Sequence, residues 1–496
     1  MKRVLIANRG EIAVRIARAC HADGLETVAV YSEADRQALH VQTCTRAVCV
    51  GEASATESYL RVDVILEAAA QTGADAIHPG YGFLSENVAF AQAVIDAGLT
   101  WIGPSPQAID SMGDKITARG MMEEAGVPVV PGFLVDDSLD VANPPMAFPW
   151  LVKASAGGGG KGMRVVDNAE AFEDALAAAQ REALAAFSND AVYVEKFLIG
   201  PRHVEIQVFG DTHGNVVFLG ERECSIQRRH QKIIEEAPAP GVDKALRERM
   251  GAAAVAAAKA VDYCGAGTVE FLLDARGDFY FLEMNTRLQV EHPVTECVMG
   301  VDLVRAQLAV ARGGKLPWTQ EELEPRGHAV EVRLYAEDPT SGFLPQTGTL
   351  HRYRVPTGPG LRHDGGVREG DVVSVHYDPM LAKMIAFGET REHAIQRLSD
   401  ALSRWVVHGV KTNIGFLRDI LEHPEFKAGN THIAFLGEHF PTEAIQAPKP
   451  TMDVWIALAL GASTSAAGTV SSGEGSAQIG DWVSPWQAVG PWRNGQ

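Results

Sequence analysis

The stretch from Glu270 to His292 constrains the fold of this chain more than any other. Two short apolar runs in it flank Arg276 and Gly277, and a two-residue turn at that point predicts a β-hairpin. In the register that this turn sets, Glu270 lies directly opposite Glu283. Facing carboxylates repel each other, so a buried pair needs a proton or a cation between its members. We interpret the cation as a divalent metal ion.

The alternation of the second strand continues past the hairpin and gathers polar side chains on one face. That face carries Glu283, Asn285, Arg287, Gln289 and Glu291. The first two, with Glu270, supply carboxylate and amide oxygens, which suit Mg²⁺ or Mn²⁺. Arg287 and Glu291 follow later on the same face, where they are placed to hold and deprotonate an anionic second substrate. A salt-bridged edge strand without chemistry is the alternative.

Composition narrows the classes of partner. The net charge of −19 argues against nucleic acid or an anionic membrane, so ATP would need a local basic site. The six cysteines show no CxxC pair or metal-ligand spacing, which fits reduced thiols in a cytosol. The opening apolar run is too short for a secretory signal, and no window reaches the ~18 apolar residues of a membrane span. We therefore expect a cytoplasmic protein.

Short strands alternate with helices over residues 1–113, which predicts a doubly wound α/β domain. The predicted strands are Val4–Ala7, Thr27–Tyr31, Arg46–Val50, Ala76–His78 and Thr100–Ile102. The first turn, Asn8 to Glu11, lacks GxGxxG, so dinucleotide binding is not expected. The loop Pro79–Asn87 lies at the carboxyl end of a strand, where such sheets bind ligands. A binding loop around Tyr81 and a purely structural loop are the two interpretations.

A glycine-rich segment marks the second region, residues 114–196. Strand Trp150–Ala154 leads into Gly157–Gly160, and the chain returns as a strand at Met163–Val166. Backbone N–H groups of such a loop can bind phosphates, with Lys153 or Lys161 supplying positive charge. The spacing is not that of a Walker loop. A plain turn is the alternative, but four successive glycines favour a moving phosphate lid.

The third region, residues 197–443, contains the hairpin and further alternating segments. Pro201–Val208 and Val330–Leu334 read as strands, and the second places Arg333 on a strand face. Gln227–Lys232 is strongly polar, so it is either a binding segment or a solvated loop. Residues 444–496 read as a Gly/Ser/Ala-rich linker and tail.

Six motifs, in order along the chain, closely resemble those of biotin carboxylase, a member of the ATP-grasp superfamily. They are HPGYGFLSEN at His78–Asn87, MGDK ending at Lys115, KASAGGGGKGM at Lys153–Met163, PRHVEIQV at Pro201–Val208, ERECSIQRRHQK ending at Lys232 and EMNTRLQVEHPVTE at Glu283–Glu296. The likeness covers about Lys2 to Phe440. Two finer motifs, AGGGGKG and YAEDPTSGFLP, look most like the α-subunits of propionyl-, methylcrotonyl- or acetyl-CoA carboxylases.

The resemblance implies an α/β protein with a Rossmann-like (pre-ATP-grasp) N-terminal domain at 1–113. Linker helices and an ATP-grasp lid at 114–196 and a catalytic ATP-grasp and C-terminal domain at 197–443 would follow. It implies ATP-dependent carboxylation of biotin, held on a carrier protein or domain, by bicarbonate through carboxyphosphate. The resemblance also implies Mg²⁺ or Mn²⁺ as cofactor, a carboxyltransferase subunit as partner and a homodimeric assembly. The alternatives are another ATP-grasp carboxylate–amine ligase and a non-catalytic ATP-binding subunit.

The resemblance also assigns roles to residues. The nucleotide side would comprise Lys115, Lys153, Gly157, Gly158, Gly159, Gly160, Glu195, Leu198, His203, Gln227 and His230. The metal ligands would be Glu270, Glu283 and Asn285. The bicarbonate pocket would comprise Lys232, Arg287, Gln289 and Val290, with Glu291 as base and Tyr81 and Arg333 on the biotin side. One departure is Ala156, where many family members have glycine.

A biotin-attachment motif, Met-Lys-Met, does not occur in the sequence, and the surroundings of Lys383 do not match it. We expect biotin to arrive on another chain or on a further segment of this one. The ending, from Ser484 to Asn494, looks like the entry to the β-rich domain of longer acyl-CoA carboxylase α-subunits. Our hypothesis is that the sequence is a piece of a longer polypeptide.

Overall fold

The computed structural model describes residues 1–135, 139, 145–154, 163–187, 192–229, 231–446 and 452–457. The chain divides into two units, Met1–Ile445 and Gln446–Gln496. Within the second unit, the described residues are Gln446 and an exposed helical segment at 452–457. Among all the residues described, no helix has both the length and the apolar character needed to cross a membrane.

The N-terminal region forms a five-stranded parallel sheet with the strand order β3-β2-β1-β4-β5. Its strands are β1 (Arg3–Ile6), β2 (Glu26–Ser32), β3 (Arg46–Gly51), β4 (Ala76–His78) and β5 (Thr100–Trp101). Its helices are α1 (Gly10–Ala22), α2 (Leu39–Thr43), α3 (Val62–Thr72), α4 (Val88–Asp96) and α5 (Pro106–Gly113). Ile12, Ile16 and Cys20 form the buried stripe of α1, at the helical spacing of the sequence. The doubly wound α/β prediction is confirmed.

A smaller antiparallel sheet follows helix α6 (Lys115–Glu124), with the strand order β6-β9-β7-β8. Its strands are β6 (Gly132–Leu134), β7 (Trp150–Ala154), β8 (Arg164–Val166) and β9 (Val192–Lys196), covered by α7 (Phe172–Phe187). The fully buried Trp150 packs edge-on against Phe133 and Phe172 in its core. The predicted phosphate loop, Gly157–Gly160, lies outside the described residues.

An eight-stranded antiparallel sheet carries the rest, with the order β14-β13-β10-β11-β12-β15-β22-β20. Its strands are β10 (Arg202–Gly210), β11 (Val216–Arg228), β12 (Gln231–Ala237), β13 (Gly265–Leu273), β14 (Phe279–Asn285), β15 (His328–Tyr335), β20 (Leu361–Gly365) and β22 (Met380–Gly388). Three two-stranded ribbons accompany it: β16 (Glu337–Asp338) with β17 (Leu344–Pro345), β18 (Gly348–Thr349) with β21 (Val372–Val373), and β19 (Arg352–Arg354) with β23 (Val406–His408).

Helices cover this sheet with their apolar faces. They are α8 (Lys244–Ala260), α9 (His292–Met299), α10 (Leu303–Ala311), α11 (Arg391–Arg404), α12 (Ile414–Glu422), α13 (Pro424–Lys427) and α14 (Phe435–His439). The small side chains of α8, including the buried Ala254 and Ala257, let it lie close to the strands. α8 packs on the apolar face of the sheet, whereas α9 lies on the polar face, where Thr295 accepts a hydrogen bond from Arg222.

The hairpin of β13 and β14 forms, and Glu270 does lie opposite Glu283. The predicted two-residue turn is wrong. The turn spans three residues between Asp274 and Asp278, whose backbone N–H and C=O are 2.8 Å apart, and Gly277 takes a positive φ of 82°. A bulge next to Glu270 restores the register toward the open end of the hairpin.

The predicted continuation of this strand to Glu291 is also wrong. β14 ends at Asn285, and Glu291 is the N-cap of α9. β14 is an edge strand, and within the described part of the chain its outer side makes an isolated β-bridge, between Phe281 and Val129. The backbone N–H of Thr286 instead donates to the carboxylate of Glu86 at 3.1 Å, which takes the chain away from the ladder.

Candidate active site

Four charged residues form a row of cross-strand pairs on neighbouring strands of the eight-stranded sheet. The pairing registers are Arg222 opposite Glu205, Glu205 opposite Glu270, and Glu270 opposite Glu283. Arg222 and Glu205 are fully buried and hydrogen-bonded to each other. Three neighbouring carboxylates would repel one another, so the row requires cations against it. Arg222 supplies one of these cations, at the end of the row.

Lys232, from β12, supplies the second cation. Its Nζ donates to Glu205 Oε2 at 2.6 Å, to Glu270 Oε1 at 3.0 Å and to Glu291 Oε1 at 2.6 Å. Burial alone would lower the pKa of Lys232, but these three carboxylates raise it well above its ordinary value. Lys232 is therefore a permanent ammonium at the centre of the site.

Glu291 bridges Lys232 to Arg333 of β15. The Arg333 Nη2 donates to Glu291 Oε2 at 3.1 Å, and its Nε donates to Glu235 Oε1 at 2.6 Å. Burial would raise the pKa of Glu291, but the cations Lys232 and Arg333 hold it well below its usual range. Glu291 is a carboxylate, able to accept a proton. Glu235 differs, because burial raises its pKa to about 7 despite the opposing effect of Arg333.

Arg287 is clamped by three side chains, although it lies on a loop. Its Nε donates to Glu86 Oε2 at 2.8 Å, its Nη1 to Gln289 Oε1 at 2.9 Å and its Nη2 to Asn285 Oδ1 at 2.9 Å. The guanidinium is thus fixed in orientation, as a bidentate anion-binding group should be. Gln289 in turn donates to Glu270 Oε1 at 3.1 Å.

The three predicted metal ligands meet at the open end of the hairpin. Asn285 Nδ2 donates to Glu270 Oε1 at 2.8 Å, and Glu283 is half-buried opposite Glu270. Burial would raise the pKa of Glu270, but Lys232 and His203 lower it far below its usual range, so it is ionised. Two carboxylates and an amide form an oxygen donor set that fits a hard divalent cation such as Mg²⁺.

His203 borders this set from β10. Its Nε2 lies 2.8 Å from Glu270 Oε2. Burial alone would lower the pKa of His203, but Glu270 raises it above its ordinary value. His203 is therefore held against the proposed metal ligand, on the side where the resemblance places the nucleotide.

The remaining nucleotide-side residues are only partly described. Lys153 of β7 lies with its Nζ 2.6 Å from Glu195 Oε2 of the adjacent strand β9. Leu198 is buried just beyond β9, and Gln227 pairs with Lys232 across β11 and β12. Outside the described residues lie the Lys115 side chain, Gly157, Gly158, Gly159, Gly160, His230 and Ala156.

A cavity of about 510 Å³ opens beside Arg333. Its lining brings Tyr81 from the N-terminal region together with Arg287, Val290 and Arg333. The Tyr81 hydroxyl donates to Glu11, the last residue of the first predicted turn. Both residues predicted for the biotin side therefore share one cavity with two of the residues predicted for the bicarbonate pocket, Arg287 and Val290.

Several residues of the site escaped prediction from the sequence. They are Glu11, Glu86, Glu205, Arg222 and Glu235. One signal was available, because polar residues occupy every second position of the predicted strand Pro201–Val208, which places Glu205 beside His203 on one face. Glu86 lies within the loop Pro79–Asn87, for which the sequence allows either a binding or a purely structural role, and its partner Arg287 is distant in sequence.

Three family models match the chain in succession. Residues 1–109 match the Biotin carboxylase, N-terminal domain, residues 114–319 the Carbamoyl-phosphate synthase L chain, ATP binding domain, and residues 331–438 the Biotin carboxylase C-terminal domain. Biotin carboxylase of Halalkalibacterium halodurans is 51% identical over 452 residues, 90% of this chain and 100% of that protein. The mitochondrial methylcrotonoyl-CoA carboxylase subunit alpha of Rattus norvegicus is 51% identical over 442 residues, 88% of this chain but 62% of that subunit.

Solved structures show the same fold. The biotin carboxylase domain of Hydrogenobacter thermophilus 2-oxoglutarate carboxylase, in complex with MgADP, ADP and bicarbonate, matches with a TM-score of 0.82 and 42% identity over 90% of this chain and 99% of that one. The complex of Campylobacter jejuni biotin carboxylase with β,γ-ATP matches with a TM-score of 0.82 and 43% identity over 88% and 99%. These likenesses confirm the expected α/β fold class.

Proposed function

The chain belongs to the biotin carboxylase family, and from that premise we propose how its own residues divide the work of the reaction. The activity is ATP-dependent carboxylation of biotin by bicarbonate, the first half-reaction of a biotin-dependent carboxylase. ATP, Mg²⁺ and bicarbonate are its ligands, and biotin is the carried substrate. The observation that carries the assignment is the chain of contacts from Lys232 through Glu291 to Arg333.

The first step activates bicarbonate. Lys232 and Arg287 hold the anion, with Gln289 and the backbone at Val290 completing its pocket. Glu291 accepts the bicarbonate proton, and the freed oxygen attacks the γ-phosphate of ATP. The bond from that phosphorus to the bridging oxygen breaks, giving carboxyphosphate and ADP. Because Glu291 is ionised and lies beside the anion-holding ammonium, it can act as the base.

Glu270, Glu283 and Asn285 would hold Mg²⁺, which when bound offsets the charge that builds on the phosphates. The nucleotide itself would lie between the small sheet and the eight-stranded sheet. Lys153 and Lys115 would contact its phosphates beneath Gly157–Gly160. Glu195, Leu198, His203, Gln227 and His230 would line its base and ribose.

The second step carboxylates biotin. Carboxyphosphate breaks down to CO₂ and phosphate, and that phosphate takes the proton from the ureido nitrogen of biotin. The nitrogen then attacks CO₂. Arg333 stabilises the enolate-like ureido anion, since its guanidinium presents a planar fork fixed by Glu235 and Glu291. Tyr81 lines the same cavity, where it would contact biotin.

We divide the chain into domains according to these proposed roles. We infer a Rossmann-like domain at 1–113, linker helices and lid at 114–196, the catalytic and C-terminal domain at 197–443, and a linker or tail at 444–496. A carrier protein or domain and a carboxyltransferase are its general partners, and homodimerisation is part of the proposal. A cytoplasmic location is supported by six cysteines that are all free thiols.

The direct test is transfer of radiolabel from bicarbonate to free biotin. The purified chain is incubated with Mg-ATP, labelled bicarbonate and biotin, and acid-labile label on biotin is counted against ADP formed. We expect label on biotin to increase in step with the ADP formed above the amount released without biotin. Label-free ADP formation that depends on some other carboxylic acid and an amine would overturn the assignment in favour of a different ATP-grasp ligase.

A further inference from the structure

Lys383 is fully buried in the eight-stranded sheet, which is rare for a lysine. It lies on β22 directly opposite Arg333 of β15, so the two side chains share one face of the sheet. A buried ammonium must be paired, since desolvation otherwise costs several kcal/mol. The partners of Lys383 therefore indicate what it is for.

One partner is the backbone at the edge of the site. Lys383 Nζ donates to the carbonyl oxygen of Val290. That carbonyl belongs to the peptide that joins Val290 to Glu291, so Lys383 fixes the peptide plane directly before the proposed base. Val290 also lines the 510 Å³ cavity.

The second partner comes from the N-terminal region. Glu11 of α1 places its Oε1 3.3 Å from Lys383 Nζ, and the same oxygen accepts the hydroxyl hydrogen of Tyr81. Glu11 is buried, and its Oε2 has no hydrogen-bond partner among the residues that the structure describes. The orientation of the Tyr81 ring is thus set through Glu11, and the position of Glu11 through Lys383.

The surrounding charges favour an ammonium at this position. Burial would lower the pKa of Lys383, but Glu11, Glu331 and Asp364 raise it above its ordinary value, against a smaller opposing effect of Arg362. Burial raises the pKa of Glu11 to about 7, although Lys383 opposes that rise. Removing Lys383 would therefore leave Glu11 protonated, and Tyr81 would lose its anionic acceptor.

We propose that Lys383 and Glu11 are positioning residues of the biotin-side step, holding Tyr81 in place across the cavity. The contact of Lys383 with the Val290 carbonyl is expected to make a smaller contribution to the bicarbonate-side step. The inference rests on the proposed function, in which this cavity receives biotin. Within the described part of the chain, the polar partners of Lys383 and Glu11 do not include the nucleotide-side residues Lys153, Glu195, His203 and Gln227. The arrangement therefore predicts a defect in the handling of biotin while ATP binding is kept.

The test compares Lys383→Met with the wild-type chain, using free biotin as the probe. Two rates are measured for each: bicarbonate-dependent ADP release without biotin, and carboxylation with increasing biotin. We expect kcat/KM for biotin to fall about 10- to 100-fold, the range for loss of a charged, buried hydrogen-bond partner, while KM for ATP stays within about twofold. Wild-type kcat/KM for biotin in this variant, or an equal loss in both rates, would overturn the proposal.

Further variants separate positioning from folding. Glu236→Gln is the matched control, because Glu236 is a buried carboxylate of the same sheet that pairs with Arg391 and His328 away from the cavity. Glu236→Gln should lower the thermal midpoint of unfolding without changing kcat/KM for biotin. If Lys383→Met does not fold, Glu11→Gln replaces it as the test variant. Its kcat/KM for biotin is expected to fall about fivefold.

A double variant tests the linkage. Lys383→Met combined with Tyr81→Phe should be no worse than the more impaired single variant, because both act through one chain of contacts. If the losses of the two single variants instead add up in the double variant, the proposed link from Lys383 to Tyr81 is wrong. A wild-type chain that does not carboxylate biotin at all would instead contradict the proposed function, so the two failures are distinguishable.

Discussion

Lys232 Nζ and Glu291 Oε1 lie 2.6 Å apart, so the cation proposed to hold bicarbonate and the carboxylate proposed to deprotonate it are direct partners. The same ammonium contacts Glu205 and Glu270, which ties the base to the row of carboxylates that includes the metal ligands. One buried charge thus connects the three chemical tasks of the site.

Replacing Lys232 should therefore impair both stability and catalysis. Lys232→Gln leaves three carboxylates without their shared cation, which is expected to lower the free energy of unfolding by about 3 kcal/mol. Bicarbonate-dependent ADP release should fall at least about 100-fold. Urea unfolding and steady-state kinetics measure the two effects. The control is Lys411→Gln, which breaks an ion pair with Asp338 elsewhere; bicarbonate-dependent turnover unaltered in Lys232→Gln would refute the role.

Arg333→Lys should abolish carboxylation of biotin while leaving ATP binding nearly intact. A lysine cannot contact both Glu235 and Glu291 while presenting a planar fork to the ureido anion. Carboxybiotin formation and ATP affinity are the readouts. Arg391→Lys is the matched control, because Arg391 makes a bidentate contact with Glu236 away from the cavity. Biotin carboxylation by Arg333→Lys at the wild-type rate would show that Arg333 has another task.

Glu270→Gln should raise the Mg²⁺ concentration needed for half-maximal ADP release. The substitution removes a charge from the proposed oxygen donor set and disturbs the contacts of Lys232 and His203. We expect a shift of about tenfold or more, measured by Mg²⁺ titration at saturating ATP. Glu248→Gln, on the exposed side of α8, serves as control. An unchanged Mg²⁺ titration would exclude Glu270 as a ligand.

Acid should destabilise the protein through buried histidines, and His40 offers the clearest test. Burial lowers the pKa of His40 to about 4 from an ordinary value of 6.5. Between these pH values the unfolded chain binds a proton that the folded chain does not, so stability is lost as the pH falls below 6.5. At pH 5 the loss is about 2 kcal/mol.

His40→Gln should remove this dependence. Unfolding free energies of wild type and variant are compared at pH 7 and pH 5, and their difference should shift by about 2 kcal/mol in favour of the variant at pH 5. His393→Gln is the control, since His393 is exposed on α11. A difference between wild type and His40→Gln that does not change with pH would contradict the argument.

The features that the sequence predicted correctly are those that depend on local pattern. Period-two alternation located β10 and β15. The register counted from the predicted turn placed Glu270 opposite Glu283, even though the turn has three residues and a bulge corrects the register. Alternation wrongly predicted that the strand continues from Asn285 to Glu291. The polar pattern continues there, but strand pairing ends at Asn285.

The contacts that the sequence could not predict are non-local. The pairing of β10 with β11 places Arg222 beside Glu205, and no local pattern specifies which strands become neighbours. Lys383 and Glu11 likewise meet only through the packing of the N-terminal region on the large sheet. The strand pattern alone suggested the metal ligands and the roles of Arg287 and Glu291, whereas the roles of the other site residues came from the family resemblance.

The most direct measurement of the central claim is steady-state ADP release by the purified chain with Mg-ATP. It is recorded without bicarbonate, with bicarbonate, and with bicarbonate and free biotin. The account predicts turnover that requires bicarbonate and rises further with biotin. ATP hydrolysis that is indifferent to both would contradict it.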